Sequence, residues 1–428
     1  MRYCIIGGSA AGTSACEMIR GIDKKADITL ITDEKFALYS RCLLSYLLAG
    51  SINEDKLKFK EKDFFERNKI EALLGVRVEK IDSKKRELGL SNKKKVTFDR
   101  LLIATGARPK EMGIPGEDKK GVFALRTIED ARGILNRSNK GVKRVAILGG
   151  GLIGMRDAYA LGHKGFDIKV IVKSGQILSQ MMEKEGAEII EAHIKKFGVD
   201  VMKGLAATEI LGKDEVSGII LDNGNKLDCE LVIVGKGVAP NIELAKDIGL
   251  ATKEGIIADD YLAASQDGIW TAGDVCEAKD LVTGEKTVNA LWPCAVEQGR
   301  VAALNMAGKK TKYEGSQSMN SLDLFGLSTI SIGVTKPKGA GYEILTSKTE
   351  NSYKRLVIKG DILWGMTLVG KVENAGVYGI LIRNKINISD YKKILLRDDF
   401  NYAKILPLIK KEAQKFCKPE FQDILLTY

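Results

Sequence analysis

Two stretches of the chain share one pattern of apolar and polar positions. Each begins with a short apolar run, RYCII at residues 2–6 or RVAIL at 144–148, and continues through a glycine-rich turn. The residues after each turn, TSACEMIRGI and MRDAYAL, have the mixed pattern of a helix. A buried strand, a tight turn and a helix open a βαβ unit, so the pattern predicts two α/β units in one chain.

The first turn is a near match to the G-x-G-x-x-G fingerprint of dinucleotide-binding folds. Its residues are Gly7, Gly8, Ser9, Ala10, Ala11 and Gly12. Serine at the second glycine position is still small enough for a phosphate to approach the backbone, while the flanking glycines permit the turn and close packing. The next apolar run ends at Asp33 and Glu34, about 20 residues further on, where a ribose diol would be held.

The second turn carries the full fingerprint and lies about 140 residues after the first. Its candidate nucleotide contacts are Gly149, Gly151, Ile153 and Gly154. The following run, DIKVIV, ends at Lys173, where an NAD-binding fold usually has an acid. An acid there binds a free 2′-hydroxyl and a cation tolerates a 2′-phosphate, so the sequence leaves NAD(H) and NADP(H) open.

Two further apolar runs, within 98–109 and 268–280, end in small or acidic residues. These are Ala104, Thr105, Gly106, Gly273 and Asp274. An acid after a buried strand could simply cap a helix. Beside two dinucleotide fingerprints, we interpret Asp274 instead as a carboxylate that accepts hydrogen bonds from a polyol chain.

Length and cysteine usage indicate a cytoplasmic protein of about three domains. The 428 residues include seven scattered cysteines and no CxxC pair, which disfavours a zinc ribbon or a cysteine-ligated iron–sulfur cluster. No apolar run approaches the roughly 20 residues that span a bilayer. The first strand begins immediately after Met1, so we expect neither a membrane span nor a signal peptide.

The net charge of +11 arises from lysines spread along the chain. A solvated surface accounts for such a charge, and so does a docking surface for an acidic protein partner. The basic runs lack interleaved aromatic residues, so we do not expect nucleic acid as a partner.

Taken together, the motifs resemble the FAD- and NAD(P)-dependent pyridine nucleotide-disulfide oxidoreductase superfamily over about residues 2–395. The resemblance implies an α/β fold with two Rossmann-like dinucleotide-binding domains of the three-layer ββα type and a C-terminal α+β interface domain. The implied divisions are an FAD-binding domain at 1–110 and 237–312, an NAD(P)-binding domain at 111–236, an interface or dimerisation domain at 313–395, and a helical extension at 396–428.

The resemblance also implies roles for single residues. The first turn would hold the FAD pyrophosphate, Val78 would meet the adenine through its backbone, and Asp274 would hold the ribityl chain. Trp292 opens a stretch similar to the helix that leaves the flavin, and Gly237 lies in one similar to the crossover beside the nicotinamide nucleotide. Most members have a glutamate near the nicotinamide where this chain has Arg156; Arg156 stays a candidate cofactor contact by position, and that glutamate's role is not carried over.

The segment YSRCLLSYLLAG at 39–50 helps to distinguish three classes of enzyme within this superfamily, which differ in their electron acceptor. The dithiol reductases need a second cysteine five residues from the first, which is absent, and a base; His163 and His193 are expected to be structural. The single-cysteine branch comprises coenzyme A-disulfide reductases and NADH oxidases or peroxidases, and Cys42 falls at its redox position, with Arg41 able to stabilise a thiolate. The peroxidases have a histidine where this chain has Ala10, which disfavours them.

The third class comprises ferredoxin and rubredoxin reductases and the flavin domain of nitrite reductases, and this chain resembles it. Its Y-x-R-P-x-L-S stretch matches here at Tyr39, Arg41, Leu44 and Ser45, and Cys42 replaces the proline. In that class Arg41 and Ser45 would contact FAD, with Cys42 part of the same wall.

We therefore predict an FAD-dependent oxidoreductase that moves electrons between NAD(P)H and an acidic ferredoxin- or rubredoxin-like carrier or an iron–sulfur subunit. It would act as a homodimer or within a hetero-oligomeric redox complex. The alternatives are a coenzyme A-disulfide reductase or NADH oxidase with Cys42 as the catalytic thiol, and a non-enzymatic NADH sensor similar to apoptosis-inducing factor. The tail at 396–428 has the leucine and isoleucine spacing of a helix that either docks a partner or packs on its own domain.

Overall fold

The computed structural model describes residues 1–36, 38–412 and 415. The chain up to residue 110 contains the first α/β unit predicted from the sequence. Its strands are β1 (Arg2–Ile6), β2 (Asp27–Thr32), β3 (Ile70–Leu74), β4 (Val78–Asp82), β5 (Glu87–Leu90), β6 (Lys95–Thr97), β7 (Arg100–Ile103) and β8 (Ala107–Pro109). Its helices are α1 (Ala10–Ile22), α2 (Leu44–Ala49) and α3 (Phe64–Arg67). β1 is parallel to both β2 and β7, and its apolar run is buried because the strand lies inside the sheet.

The second unit repeats this arrangement. Its strands are β9 (Val122–Phe123), β10 (Arg144–Leu148), β11 (Asp167–Val172), β12 (Val199–Lys203), β13 (Ala207–Leu211), β14 (Gly218–Leu221), β15 (Lys226–Asp228) and β16 (Leu231–Val234). Its helices are α4 (Ile128–Ser138), α5 (Leu152–Gly162) and α6 (Lys184–Lys195). The parallel sheet has the order β12-β11-β10-β16-β9, with β10 inside it and α5 leaving from its carboxyl end.

The next segment returns to the first unit. It contains β17 (Val238–Pro240), α7 (Glu243–Asp247), β18 (Ile256–Ile257), β19 (Ile269–Thr271), β20 (Cys276–Lys279), β21 (Lys286–Thr287) and α8 (Trp292–Met306). β19 pairs with β7 and completes a parallel sheet of order β19-β7-β1-β2-β3, while β17 pairs antiparallel with β8. Helix α8 packs along α1, and this contact brings the end of the segment beside the first glycine turn.

Each parallel sheet is covered on one side by a small antiparallel sheet. In the first unit this layer is β4-β5-β6, and in the second it is β13-β14-β15. Helices cover the other side, so both units have the three-layer arrangement of a Rossmann-like domain. The predicted fold class is confirmed, whereas the residue limits proposed for the domains stay predictions.

The C-terminal part is an antiparallel sheet with helices on one face. Its elements are β22 (Met319–Leu324), β23 (Leu327–Gly333), β24 (Tyr342–Lys348), β25 (Tyr353–Lys359), β26 (Ile362–Val369), α9 (Ala375–Arg383), α10 (Lys392–Leu396) and α11 (Leu406–Lys411). The sheet order is β22-β23-β26-β25-β24. The described part of the tail packs on this sheet, because Phe400, Ile405 and Leu408 belong to the same apolar cluster as Leu356 and Leu368. The predicted tail from 416 onward lies outside the described residues.

Within the part of the chain that the structure describes, no helix has both the length and the apolar character needed to cross a bilayer.

Candidate nucleotide sites and their surroundings

The two glycine turns adopt nearly the same backbone. Gly7 has φ of 120° and Gly149 has φ of 123°, a backbone region that residues other than glycine rarely adopt. A Cβ atom on Gly7 would lie 2.0 Å from the carbonyl oxygen of Ala104, and one on Gly12 would lie 1.9 Å from that of Gly7. Both positions therefore require glycine, because the strand, the turn and the helix approach each other at backbone distance.

The helices that follow the turns present open N-termini. Ser9 and Gly151 are the N-caps of α1 and α5, and neither helix has a side-chain cap or an acidic residue in its first turn. A Cβ atom on Gly151 would meet nothing within 4 Å, so the space beside that turn is free. Unpaired amides and the helix dipole at such an N-terminus suit a pyrophosphate. These turns fit the two dinucleotides that the sequence predicts.

The end of β2 lies beside the first turn and carries an ion pair. A small cavity there is lined by Gly8, Ser9, Glu34 and Arg41, so the structure brings these predicted residues together. Glu34 accepts a hydrogen bond from the Tyr39 hydroxyl at 2.5 Å and forms an ion pair with Arg41. The Arg41 guanidinium also donates to the backbone carbonyl of residue 126 at 2.9 Å. Glu34 thereby orients Arg41 in the lining of the cavity.

Asp33 faces elsewhere. Its carboxylate pairs with Arg77 at 3.2 Å, and both side chains are more than half exposed. From the sequence, Asp33 and Glu34 are equal candidates for the ribose contact. In the structure they differ in exposure and in ion-pair partner.

Arg126 is a candidate site residue that the sequence did not indicate. Its guanidinium pairs with Asp274 at 3.2 Å, and both side chains are largely buried. Its Nε is buried and has no hydrogen-bond partner, a condition that a bound polyol or phosphate would relieve. The capping box formed by Thr127 and Asp130 holds the chain here. That S/T-x-x-D/E signal precedes α4 in the sequence and could have drawn attention to Arg126.

The Ala104-Thr105-Gly106 turn is joined to the returning segment by reciprocal bonds. The hydroxyl of Thr105 donates to the backbone carbonyl of Asn241, and the Asn241 amide donates to the carbonyl of Thr105, both at 2.9 Å. Gly106 and Gly273 both have positive φ, 65° and 83°. The pairing requires residues far apart in sequence, so nothing local could have indicated Asn241.

Three more predicted contacts occupy separate positions. Ala11 lies beside Gly273, the residue before Asp274: a Cβ atom added to Gly273 would be 3.2 Å from the Cβ of Ala11. Val78 is buried in β4. Trp292 begins α8 and packs edge-on against Phe59, with ring centroids 4.9 Å apart.

The second unit places Gly237 and Ile153 near its own turn. Gly237 follows β16 with φ of 85° and has free space around a hypothetical Cβ. Ile153 lies half-buried in the first turn of α5.

Arg156 and Asp157, on α5, have opposite environments. Arg156 donates to the carbonyl of Ser321 at 3.2 Å and lines a cavity of about 270 Å³ together with Ser45 and Tyr46. Asp157 is 2% exposed, one of its carboxyl oxygens has no partner, and burial raises the pKa of its carboxyl well above the ordinary value. Arg156 thus links the second unit to the C-terminal sheet, while burial disfavours the charged form of the Asp157 carboxyl.

Cys42 is the one exposed cysteine among the six that the structure describes. It lies on a single 3₁₀ turn, Arg41–Leu43, directly before α2. The other five are buried, and burial raises the pKa of each of their thiols, to about 12 for Cys4, Cys229 and Cys276. Buried neutral thiols are unreactive, so among the described cysteines Cys42 is the only candidate for thiol chemistry.

The two histidines lie in one aromatic cluster. His163 stacks on Phe325 with ring centroids 5.2 Å apart, and the Nε2 of His193 is 3.1 Å from the Phe325 carbonyl oxygen. Phe325 forms the turn between β22 and β23, so both histidines hold that hairpin against the second unit. Within the described part of the chain, no group of three or more His, Cys, Asp or Glu side chains is suited to a metal ion.

Two fingerprint turns on two parallel sheets, with a returning segment that closes the first, define a two-dinucleotide flavin oxidoreductase. The family described as pyridine nucleotide-disulphide oxidoreductase matches residues 1–299, and the rubredoxin NAD+ reductase C-terminal domain matches residues 319–386. The chain belongs to the pyridine nucleotide-disulphide oxidoreductase family. It is an NAD(P)H-dependent flavoenzyme that binds FAD and a nicotinamide dinucleotide.

Its relatives span several activities. An NADH oxidase of Methanocaldococcus jannaschii is 36% identical over 321 residues, covering 73% of this chain and 71% of that protein. The epsilon subunit of the NADH-dependent phenylglyoxylate dehydrogenase of Aromatoleum evansii is 30% identical over 397 residues, covering 91% and 93%. The solved NAD-dependent persulfide reductase of A. fulgidus superposes with a TM-score of 0.87 at 26% identity, covering 96% and 82%.

Proposed function

We propose that the chain transfers electrons between NAD(P)H and a one-electron iron–sulfur carrier, either a ferredoxin- or rubredoxin-like protein or an iron–sulfur subunit of a larger complex. The observation that carries the proposal is the engagement of Arg41. Its guanidinium is bound to Glu34 and to the backbone carbonyl of residue 126, so it is not available to stabilise a Cys42 thiolate. Both histidines lie in the Phe325 cluster, so neither supplies Cys42 with a base.

The residues around the turns would bind and orient the cofactors. The amides after Gly7 and Gly149 would hold the two pyrophosphates, and Asp274 with Arg126 would hold the polyol chain of FAD. Bound FAD would supply the conversion between two-electron and one-electron transfer. No protein acid or base is needed for hydride transfer itself, so the side chains contribute orientation and electrostatics.

Two comparisons support an electron-transfer partner. Residues 319–386 match a domain described from rubredoxin NAD+ reductase, and the Aromatoleum evansii relative is named as a subunit of a dehydrogenase. The net charge of +11 favours an acidic partner, because opposite charges steer association. We propose a cytoplasmic homodimer or a subunit of a hetero-oligomeric complex.

The experiment combines an anaerobic titration with a variant. We expect full reduction by dithionite to require two electrons per FAD, and reduced ferredoxin or viologen to drive NAD(P)+ reduction equally well in the wild type and in Cys42→Ser. An uptake of four electrons would show a redox disulfide beside the flavin. Failure of both reduced donors to drive NAD(P)+ reduction would also refute the proposal.

A second candidate is a coenzyme A-disulfide reductase or NADH oxidase that uses Cys42. The exposure of Cys42 and the relationship to the Methanocaldococcus jannaschii NADH oxidase favour it. It requires a thiol adduct on Cys42 detectable by intact mass and loss of turnover in Cys42→Ser. Cys294→Ser, at a buried cysteine, is the matched control and should keep turnover in either case.

A further inference from the structure

The carboxyl end of β11 carries an ion pair that joins residues far apart in the sequence. Lys173 directly follows β11, and its Nζ lies 2.6 Å from the Oδ2 of Asp222, in the turn between β14 and β15. β11 is the neighbour of β10, and β10 leads into the Gly149 turn. In a dinucleotide-binding fold this strand end faces the adenosine ribose.

Asp222 is the fixed member of the pair. Its Oδ1 accepts a hydrogen bond from the amide of Ala206 at 3.2 Å, and its own amide donates to the Ala206 carbonyl at 2.9 Å. The neighbouring amide of Leu205 donates to the carbonyl of Val172, the last residue of β11. The Asp222 side chain is 26% exposed and that of Lys173 is 69% exposed. The backbone therefore holds the carboxylate at the strand end, and the flexible lysine comes to it.

Other polar groups along this edge are already engaged. Lys203, at the end of β12, pairs with Glu191 at 2.8 Å. The hydroxyl of Ser174, next to Lys173, donates to the carbonyl of Gln176 at 2.8 Å. The hydrogen bond from Lys173 also lowers the pKa of Asp222, so the carboxylate is ionised at neutral pH. A ligand reaching this strand end meets a cation and an anion that balance each other.

We propose that Asp222 and Lys173 form a charge-balanced ribose site that makes this enzyme select NADH over NADPH. Asp222 supplies the carboxylate that would accept a hydrogen bond from the free 2′-hydroxyl of NADH, although it comes from the turn between β14 and β15 and not, like the usual acid, from the end of β11. A 2′-phosphate would meet the same carboxylate, whose repulsion offsets the attraction of Lys173. The lysine after β11 therefore does not make this an NADP site.

The test measures flavin reduction by limiting NADH or NADPH under anaerobic conditions, in the purified FAD-loaded protein. We expect the wild type to react at least about tenfold faster with NADH, a ratio that one hydrogen bond to a charged group can supply. Asp222→Asn keeps an oxygen for the Ala206 amide but frees Lys173. This variant should raise the ratio of the flavin-reduction rate with NADPH to the rate with NADH by about tenfold or more.

The double variant Asp222→Asn/Lys173→Gln shows whether the gain arises from the lysine, because it should return the ratio toward that of the wild type. Asp228→Asn is the matched control: Asp228 pairs with Lys226 at 2.9 Å on β15, away from the strand end, and this variant should keep the wild-type ratio. FAD content and thermal unfolding establish that each variant is folded.

Three results would overturn the proposal: similar wild-type rates with NADH and NADPH, an unchanged rate ratio in Asp222→Asn, or a gain that is undiminished in the double variant. Flavin reduction is measured without any electron acceptor. Its outcome is therefore independent of the proposed iron–sulfur partner, which only the titration and the reverse reaction address.

Discussion

The two glycine turns have nearly the same backbone conformation in surroundings that differ. Gly7 and Gly149 have φ values within 3° of each other, and Cβ atoms on Gly12 and Gly154 would both lie 1.9 Å from the carbonyl oxygen of the first glycine in their turn. The turns are therefore equivalent as pyrophosphate cradles. What differs is the set of side chains that surround each of them.

The two units diverge first at the end of the strand beside the turn. β2 is followed by Asp33 and Glu34, whereas β11 is followed by Lys173 and Ser174. In the first unit Glu34 binds Arg41 from the segment after β2, and in the second Lys173 binds Asp222 from a distant hairpin. The two turns share one backbone conformation, whereas the ion pairs at the neighbouring strand ends differ in charge order and in the origin of the partner residue.

The helices diverge as well. Ala15 of α1 and Asp157 of α5 each lie three residues after the last glycine of their turn, and both are fully or almost fully buried. Ala15 belongs to the same apolar cluster as Ala302 and Ala303 of α8, the helix that packs along α1. Asp157 instead places a carboxyl group with an unpaired oxygen in the interior, which costs stability.

The largest effect is expected from Gly12→Ala. Its new Cβ would overlap the Gly7 carbonyl at 1.9 Å, so the helix must move away from the strand and the pyrophosphate site is lost. We expect protein purified without FAD, measured by flavin absorbance per chain. Gly21→Ala is the control on the same helix, because its Cβ meets nothing within 4 Å. A Gly12→Ala protein with full FAD content and wild-type thermal stability would contradict the close-packing argument.

An intermediate effect is expected from Asp157→Ala, which makes α5 resemble α1. Burial raises the pKa of this carboxyl, so with rising pH the unfolded chain, whose aspartates titrate near pH 4, releases this proton before the folded state does. The unfavourable contribution of Asp157 therefore grows as the pH rises. We expect the variant to be more stable by about 1–3 kcal/mol at pH 8, with a smaller gain at pH 5.

Urea unfolding at the two pH values measures this difference. Asp118→Ala, at an exposed aspartate, is the control and should change stability little at either pH. A gain from Asp157→Ala that is equal at pH 5 and pH 8 would show that the carboxyl is not protonated by burial.

The smallest effect is expected at the end of β2. Asp33→Asn breaks an exposed pair with Arg77 and should cost less than about 1 kcal/mol. Glu34→Gln weakens a largely buried pair that also orients Tyr39, so it should cost more and reduce FAD retention. The two variants are compared by thermal unfolding and by FAD content. Equal losses in both would mean that the two acids do not differ as their exposure indicates.

The sequence predicted the parts of the site that depend on local geometry. The turns at Gly7 and Gly149 were readable because a strand, a tight turn and a helix need glycine at fixed spacing. The Arg41–Ser45 stretch is predicted to form part of the flavin wall only through its resemblance to a family segment, and the structure places Arg41 and Ser45 at two different cavities. Its proposed contacts with FAD, and the choice between a redox and a structural Cys42, stay predictions.

Other parts of the site could not be read in this way. Arg126 reaches Asp274 across 148 positions, and Asn241 reaches Thr105 across 136. Such pairs leave no periodic signal, because their spacing depends on how the returning segment crosses back to the first sheet. The position of Lys173 in the sequence indicates a cation at the strand end. Its partner Asp222 is 49 residues away, so the sequence does not show that this charge is paired.

By itself, the sequence determined two dinucleotide-binding units, their order and the glycine turns that are predicted to hold the phosphates, since each unit's turn is encoded within about 30 contiguous residues. Tertiary structure alone decided which charges are free and which are neutralised. It engaged Arg41 with Glu34, Lys173 with Asp222 and Arg126 with Asp274, and it left Cys42 exposed. The physical reason is that the effect of a charge depends on its nearest partner and its exposure, which are set by packing between distant segments.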